Sequence, residues 1–511
     1  RIGIRRATSS ALFRCGCSML RRLRTLAPRH SHLRAGRIPI FWIEIAYPIM
    51  DTGLDMPTIT IPLVGPPGQR TTSTVDERFV NVVFEDFVDH TAQTKSTYVV
   101  KRPGLANNTQ PSGGAATGRG IFAWEGTTKL YSVFDNLVYS GVTAIGTVMA
   151  ASTGRVWGVD IPVATGARQL VLSDGADNYN ITTADGITQI DATDDPQYPA
   201  SNLGPIDYLN PPGRIMQGLS NGQLWQSDLN SLVAWTADNY ISVDTYGSSL
   251  EATHRRADQI MGFTKNRVEF FFNNNNPSGS VLLRIDQNTL PFGLASKNSL
   301  AWSGDTICGV SENSADGDGG RNVFKISAME ADVVGTPSIN RFLAAEGTTI
   351  STCTAWMERV AGQILYVLNL DSAERTFVYG VEANRWAEWE IAAGCAKFNG
   401  MAATSLNGTI YIQDATNGRT YTLSPTTYQD SGSNFTVTCQ SKPKMLNSGR
   451  PFIVTNAELL ADNQSSGTTS FLVSGDDYAN FTTLGSFDMT ATRKRIPVGG
   501  YFQNHIIMRL T

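Results

Sequence analysis

Outside the first 37 residues the chain has three histidines, His90, His254 and His505, and none sits in a recognisable motif. Histidine is the side chain most often poised to move protons near neutral pH, and it needs an orienting partner to do so. No Gly-x-Ser-x-Gly nucleophile elbow, Gly-Lys-Ser/Thr phosphate loop or His-Glu-x-x-His zinc helix occurs. Asp316 and Asp318 in Ala315-Asp316-Gly317-Asp318-Gly319 have a spacing that suits a hard cation. A calcium loop needs further ligands and a closing Glu, and none follows before Glu330, so a solvated Gly-Asp turn is the plainer account. Cys308, Cys353, Cys395 and Cys439 lie 42 to 45 residues apart, with no metal or redox spacing. They read as buried free thiols at equivalent positions of a repeat, and Cys15 and Cys17 lie far upstream. The expectation is therefore no catalytic, cofactor-binding or metal residue, no cofactor, and no enzyme.

The elements that would position any site are strands. Gly408 to Asp414 (Gly-Thr-Ile-Tyr-Ile-Gln-Asp) follows a pattern of Gly, a free position, an aliphatic, an aromatic, two more positions and Asp. Gly154 to Asp160 and Gly222 to Asp228 match it, and looser copies occur at Arg267 to Phe271, Arg321 to Ile326 and Gly362 to Val367. Each reads as a strand opening at a turn glycine and covered on both faces. The aromatics Trp157, Trp225, Phe270, Phe324, Tyr366 and Tyr411 are 68, 45, 54, 42 and 45 residues apart. A degenerate unit of that length built from short strands indicates an all-β chain forming a β-propeller of about six blades, within five to seven. Blade stacking predicts that Trp157, Trp225, Tyr366 and Tyr411 are largely buried. Val378 to Trp386 resembles a kelch hairpin, a strand ending in Tyr379, a turn, then Trp386.

Charged residues make up 17% of the 511, below the usual quarter, while Ser, Thr, Asn and Gly are abundant. Residues 1–37 hold ten Arg, no Lys and no acid. Without them Lys plus Arg falls from 41 to 31 against 45 Asp plus Glu, leaving a net charge of −14. Such an acidic body is unsuited to clamping a phosphate backbone, though DNA can slide past it. The first 55 residues read as a basic leader outside the fold, with Met56 as a plausible start; a basic arm or a targeting segment is the alternative. The apolar run 38–50 is too short to span a bilayer and contains Glu44, and no membrane span is expected.

Residues 56–110 read as an arm and first strands: Thr58 to Leu63, then Arg78-Phe79-Val80-Asn81-Val82-Val83-Phe84, then Ser96 to Val100 leading into Lys101-Arg102-Pro103-Gly104-Leu105. Next come the strand pair Ile121 to Trp124 and Lys129 to Val133, and a mid-chain pair within Ile260 to Phe272. This order of parts over about 370 residues resembles the packaged-DNA stabilisation, or tail-nozzle, proteins of short-tailed bacteriophages. The resemblance implies a structural virion protein of the tail, made in the host cytoplasm. It implies a homohexameric ring below the head-to-tail adaptor and portal, sealed by a tail needle or plug, with tailspikes as a further contact. DNA would be retained by the ring and pass through its lumen without sequence-specific binding. A carbohydrate-binding or glycan-hydrolysing propeller, with two carboxylates at its mouth, and a kelch-type scaffold stay open beside it. The propeller is expected over 111–430. Phe435 to Lys442, Phe452 to Ala461, Thr469 to Val473 and Tyr501 to Leu510 are expected as further strands of 431–511, closing the last blade or forming a small sandwich. No long helix is expected, because Gly335 and Pro337 interrupt 331–344.

Overall fold

The computed structural model describes residues 40–46, 58–62, 77–89, 94–124, 127–146, 149–162, 168–209, 213–243, 249–276, 278–286, 288–312, 320–391, 397–446, 450–476 and 478–511. Its dominant unit is a ring of four-stranded antiparallel meanders whose first strands start at residues 118, 157, 202, 250, 301, 354 and 400. These first strands touch in succession, those of blades 4 and 5 through His254 against Trp302, and the last touches the first, so the ring is a closed β-propeller. Six sheets stand alone. A seventh meander, 354–388, is carried on into a larger sheet, which brings the ring to the top of the expected range.

The blades are 39 to 53 residues apart, but the aromatics used to find them are not equivalent. Trp157 is on the first strand of blade 2, Trp225, Phe270 and Phe324 on third strands, and Tyr366 and Tyr411 on second strands. All six are in strands because an aromatic after a turn glycine suits any position of a meander; the uneven spacing reflects their different places. Trp157 and Tyr366 are buried, whereas Trp225 and Tyr411 are only half-buried. Trp225 stacks on Tyr240 with ring centroids 5.0 Å apart near the blade surface. Trp225→Ala should therefore cost about 1–2 kcal/mol, less than emptying a fully buried aromatic site. A urea midpoint giving 3 kcal/mol or more would place that ring in the core instead.

Ring closure uses both parts of the chain. Blade 7 takes three strands from 400–424 and its fourth, Gly104–Thr109, from the N-terminal side, paired antiparallel with Thr420–Ser424. The C-terminal strands build a sandwich against blade 6. One sheet joins Val82–Asp89, Thr94–Lys101, Ile40–Ala46, Phe452–Ala461 and Lys494–Phe502. The other runs from the outer strand of blade 6 through Arg78–Val80, Thr438–Gln440, Ile507–Leu510, Thr468–Ser474 and Thr482–Asp488. Between them lies a core that includes Phe79, Phe84, Val454, Phe471, Phe487 and Met508.

Several expectations are corrected. Residues 40–46, grouped by composition with the leader, form a strand paired with Phe452–Ala461 and Thr58–Pro62. Residues 78–84 are two strands, because Asn81 between them has φ 57°; Asn tolerates that left-handed conformation better than most residues. The expected strand 501–510 is likewise split, and Thr482–Asp488 is additional. Pro337 starts an α-helix, Pro337–Ala345, rather than preventing one. Its missing N–H costs nothing in the first turn, and the Thr336 side chain accepts from Ile339 N. The hairpin at Tyr379 and Trp386 forms as expected, with those residues opposite each other and their rings 5.1 Å apart.

Candidate functional site

The two short motifs that carried the resemblance meet in one buried cluster. Arg102 has no exposed surface. Its Nη2 and Nη1 donate to the Asp430 carboxylate at 2.6 and 3.0 Å, and its Nε donates to Asn81 Oδ1 at 2.9 Å. The remaining donors reach the carbonyls of Pro103 at 3.0 Å and Glu390 at 2.9 Å. The Phe435 ring lies 3.9 Å from the guanidinium carbon. Burial pulls Arg102 below the usual arginine range, and the Asp430 hydrogen bond and charge oppose that shift. Asn81 completes the cluster: Oδ1 also accepts from Glu390 N at 2.9 Å, and Nδ2 donates to the Thr436 carbonyl at 2.8 Å. A Cβ on Gly104 would stand 2.2 Å from the Gln429 carbonyl oxygen, so only glycine allows this approach. The cluster thus clasps the closing strand of blade 7, the sandwich and the edge of blade 6 at one point. Sequence reasoning marked Asn81 and Arg102 only as family signals, and Asp430 was missed because it lies 328 residues from its partner.

Nearby, Arg78 extends the junction, donating to Glu388 at 2.9 and 3.1 Å and to Glu390 at 2.9 Å.

The propeller axis is the second feature. Arg155 at the start of blade 2 crosses to donate to the carbonyls of Asn298 and Ala355, at 3.1 and 2.9 Å, beside the first strands of blades 5 and 6. Burial pulls Arg155 down to about 10, with the Cys353 and Tyr366 charges opposing. Lys297 Nζ likewise donates to the Leu203 carbonyl of blade 3. Two cationic tie-rods therefore span the mouth of the ring and satisfy backbone acceptors across it.

His254 is buried with Nδ1 3.4 Å from Asp207 Oδ2, and its ring packs 4.1 Å from Trp302. Arg255 also donates to Asp207, from its backbone N at 2.9 Å and from Nε at 3.3 Å. Burial raises the Asp207 carboxyl, but these bonds, His254 first, bring it below the ordinary value. His505 is apart from this group, in the sandwich, and His90 lies outside the described residues. Asp316, Asp318 and Cys395 lie outside them too. Among the described residues no group of three or more His, Cys, Asp or Glu could hold a metal ion, and no helix is long and apolar enough to cross a membrane. Cys308, Cys353 and Cys439 are buried free thiols, and burial holds Cys353 and Cys439 at about 12. They are not equivalent: Cys308 is on a second strand, Cys353 precedes a first strand, and Cys439 is in the sandwich.

Glu358, on the first strand of blade 6, is raised by burial to about 7 against bonds from Arg359 N and Ser405. The folded state then binds the proton more tightly than the unfolded chain, so this contribution to stability is complete below the unfolded pKa near 4.5 and is lost as pH rises towards 7. Discounted for partial exposure, the loss is about 1–2 kcal/mol. Glu358→Gln should stabilise by that amount at pH 8 and by almost nothing at pH 4, read from urea midpoints at both.

A closed propeller with a β-sandwich built on one edge defines the class: a rigid all-β body organised around a buried clasp. The chain belongs to the phage-stabilisation family described as Bacteriophage P22 Gp10, beta-propeller, whose profile matches residues 59–428. It is thus a phage structural protein. Among curated proteins none matches. Similar solved structures include virginiamycin B lyase from Staphylococcus aureus, at 12% identity over 62% of this chain and 98% of that one with a TM-score of 0.38. The WD40 propeller of Doa1 is similar at 10% identity over 62% and 96%, TM-score 0.36. PorZ, a type-IX secretion component of Porphyromonas gingivalis, is similar at 12% over 75% and 52%, TM-score 0.34. Scores this low carry no functional argument.

Proposed function

We propose that this protein is the ring-forming nozzle and head-completion component of a short phage tail, retaining packaged DNA and forming part of the ejection channel. The observation that carries the reading, given the family, is the axis of the propeller. Arg155 and Lys297 reach across it to carbonyls of distant blades, so a duplex cannot thread a single subunit. A passage for DNA then belongs between subunits, as in a homohexameric ring with a common lumen. The body's net charge of −14 outside the leader suits such a wall, since DNA is guided past it without adhering. The adaptor and portal stand above the ring, a needle or plug closes it below, and tailspikes are a further contact. The protein assembles in the host cytoplasm and acts in the virion. It works mechanically, with no substrate consumed. Negative-stain images of the purified full chain should show six-fold rings with a central lumen; single propellers at micromolar concentration and low salt would overturn the reading.

A further inference from the structure

A closed loop of contacts lies at one end of the propeller axis. The seven meanders are built alike, so the starts of their first strands share that end. Arg155 stands just before blade 2, Leu203 and Gly204 open blade 3, and Lys297 and Asn298 precede blade 5. Arg155 donates to the Asn298 carbonyl at 3.1 Å, and the residue before it, Lys297, donates to the Leu203 carbonyl. Beside Leu203, a Cβ on Gly204 would stand 2.4 Å from Trp157 Nε1. The Trp157 ring in turn lies 4.4 Å from the Arg155 guanidinium carbon, which closes the loop.

Within the loop donors outnumber acceptors. A guanidinium carries five N–H groups and an ammonium three, and the carbonyls engage only Nη1 of Arg155 and one N–H of Lys297. The Trp157 side chain is 5% exposed, and its indole N–H has no hydrogen-bond partner. A buried donor left unmade is costly, and an ion or water is one of its ordinary explanations. Among the described residues neither cation forms an ion pair, and Glu251, whose charge is felt at Lys297, is held by Lys265 at 3.7 Å. Burial pulls both cations below their ordinary range, a cost that an anion between them offsets. Both are half-buried rather than sealed, so a small solute reaches them from the axial mouth.

We infer that this loop binds one small phosphate anion, seated between Arg155 and Lys297 with the Trp157 N–H as a third donor. Two cations match a phosphate charge of about −1.5 to −2 near neutral pH. Donors arriving from separate strands suit a tetrahedral oxyanion, whereas a flat carboxylate is satisfied by the guanidinium fork alone. Gly204, at φ 96°, leaves the indole N–H uncovered where any side chain would press on it. The bound anion ties blades 2, 3 and 5 together at the mouth. The site lies within one subunit, so it goes beyond the ring reading and holds for a ring or a single propeller alike.

Orthophosphate titrated calorimetrically into the purified full chain, at constant ionic strength set with chloride, should bind saturably at one anion per chain and raise the melting temperature. Lys297→Met should weaken that binding about tenfold, because a charge-assisted bond is lost. Trp157→Phe keeps a ring beside Arg155 and deletes the N–H, and should weaken it about fivefold. Arg450→Gln, at an exposed position of the sandwich, should leave it unchanged. Melting curves in chloride alone show that each variant folds, and if Lys297→Met does not, Trp157→Phe carries the test. A wild type that responds to phosphate no more than to matched chloride overturns the site. So does phosphate binding that the axial variants leave untouched, and acetate binding as tightly as phosphate overturns the choice of anion.

Discussion

Replacing Arg102 by Met should lower the unfolding free energy by about 3–5 kcal/mol, the range for breaking a buried ion pair from one side. The substitution keeps much of the volume and removes the charge. Asp430 would remain at 8% exposure without its bidentate partner, and the carbonyls of Pro103 and Glu390 and the Asn81 side chain would each lose a donor. A stranded buried carboxylate is the largest of these costs, because desolvation is no longer offset by attraction. Arg102→Met with Asp430→Leu should recover part of the loss, since an apolar pair needs no compensation. Arg102→Lys should not, because an ammonium cannot form the two parallel bonds to Asp430 while also reaching Asn81. Urea unfolding of the purified chain checks this series. A loss under 1 kcal/mol for Arg102→Met would mean that the clasp is not what holds the closing strand.

The sequence was a good guide to what is local and a poor one to what is paired at a distance. Turn glycines and aromatics disclosed strands, because those residues act through φ and through packing within one hairpin. They did not disclose which strand of a blade each belonged to: Trp157, Trp225 and Tyr366 occupy first, third and second positions, and all three positions present a strand covered on two sides. Closure was invisible for another reason. Leu105 pairs with Leu423, and no local pattern joins residues more than three hundred apart. The Arg-Pro-Gly-Leu segment was noticed for its order among other parts, and its role emerged only when Arg102 met Asp430. Composition misplaced 40–46, since strong basic bias upstream hid a short strand of Ile, Phe and Trp. Pro337 misled because the same residue that breaks a helix interior is favoured at its first turn. The buried thiols and the paired Asp207 fit structural duties.

The largest functional effect should appear in a phage that lacks this protein: its heads should fill with DNA and then lose it. On the nozzle reading, packaging runs through the portal before the tail is completed, so absence of a lower ring leaves filling unaffected. What changes is the outlet. A portal and adaptor with no ring beneath them leave an open channel, and the compressed duplex exerts an outward force that no other part of that channel opposes. Purified protein added to filled heads should restore retention in proportion to rings formed, measured as nuclease-resistant DNA per head over time. Because nothing is consumed, retention should saturate at one ring per head rather than increase with incubation. Trp225→Ala, which does not break the fold below its melting temperature, should seal there as well as the wild type. Heads that kept their DNA without this protein, and failed only in binding or cleaving a host glycan, would remove the nozzle reading, and a carbohydrate-active propeller would take its place.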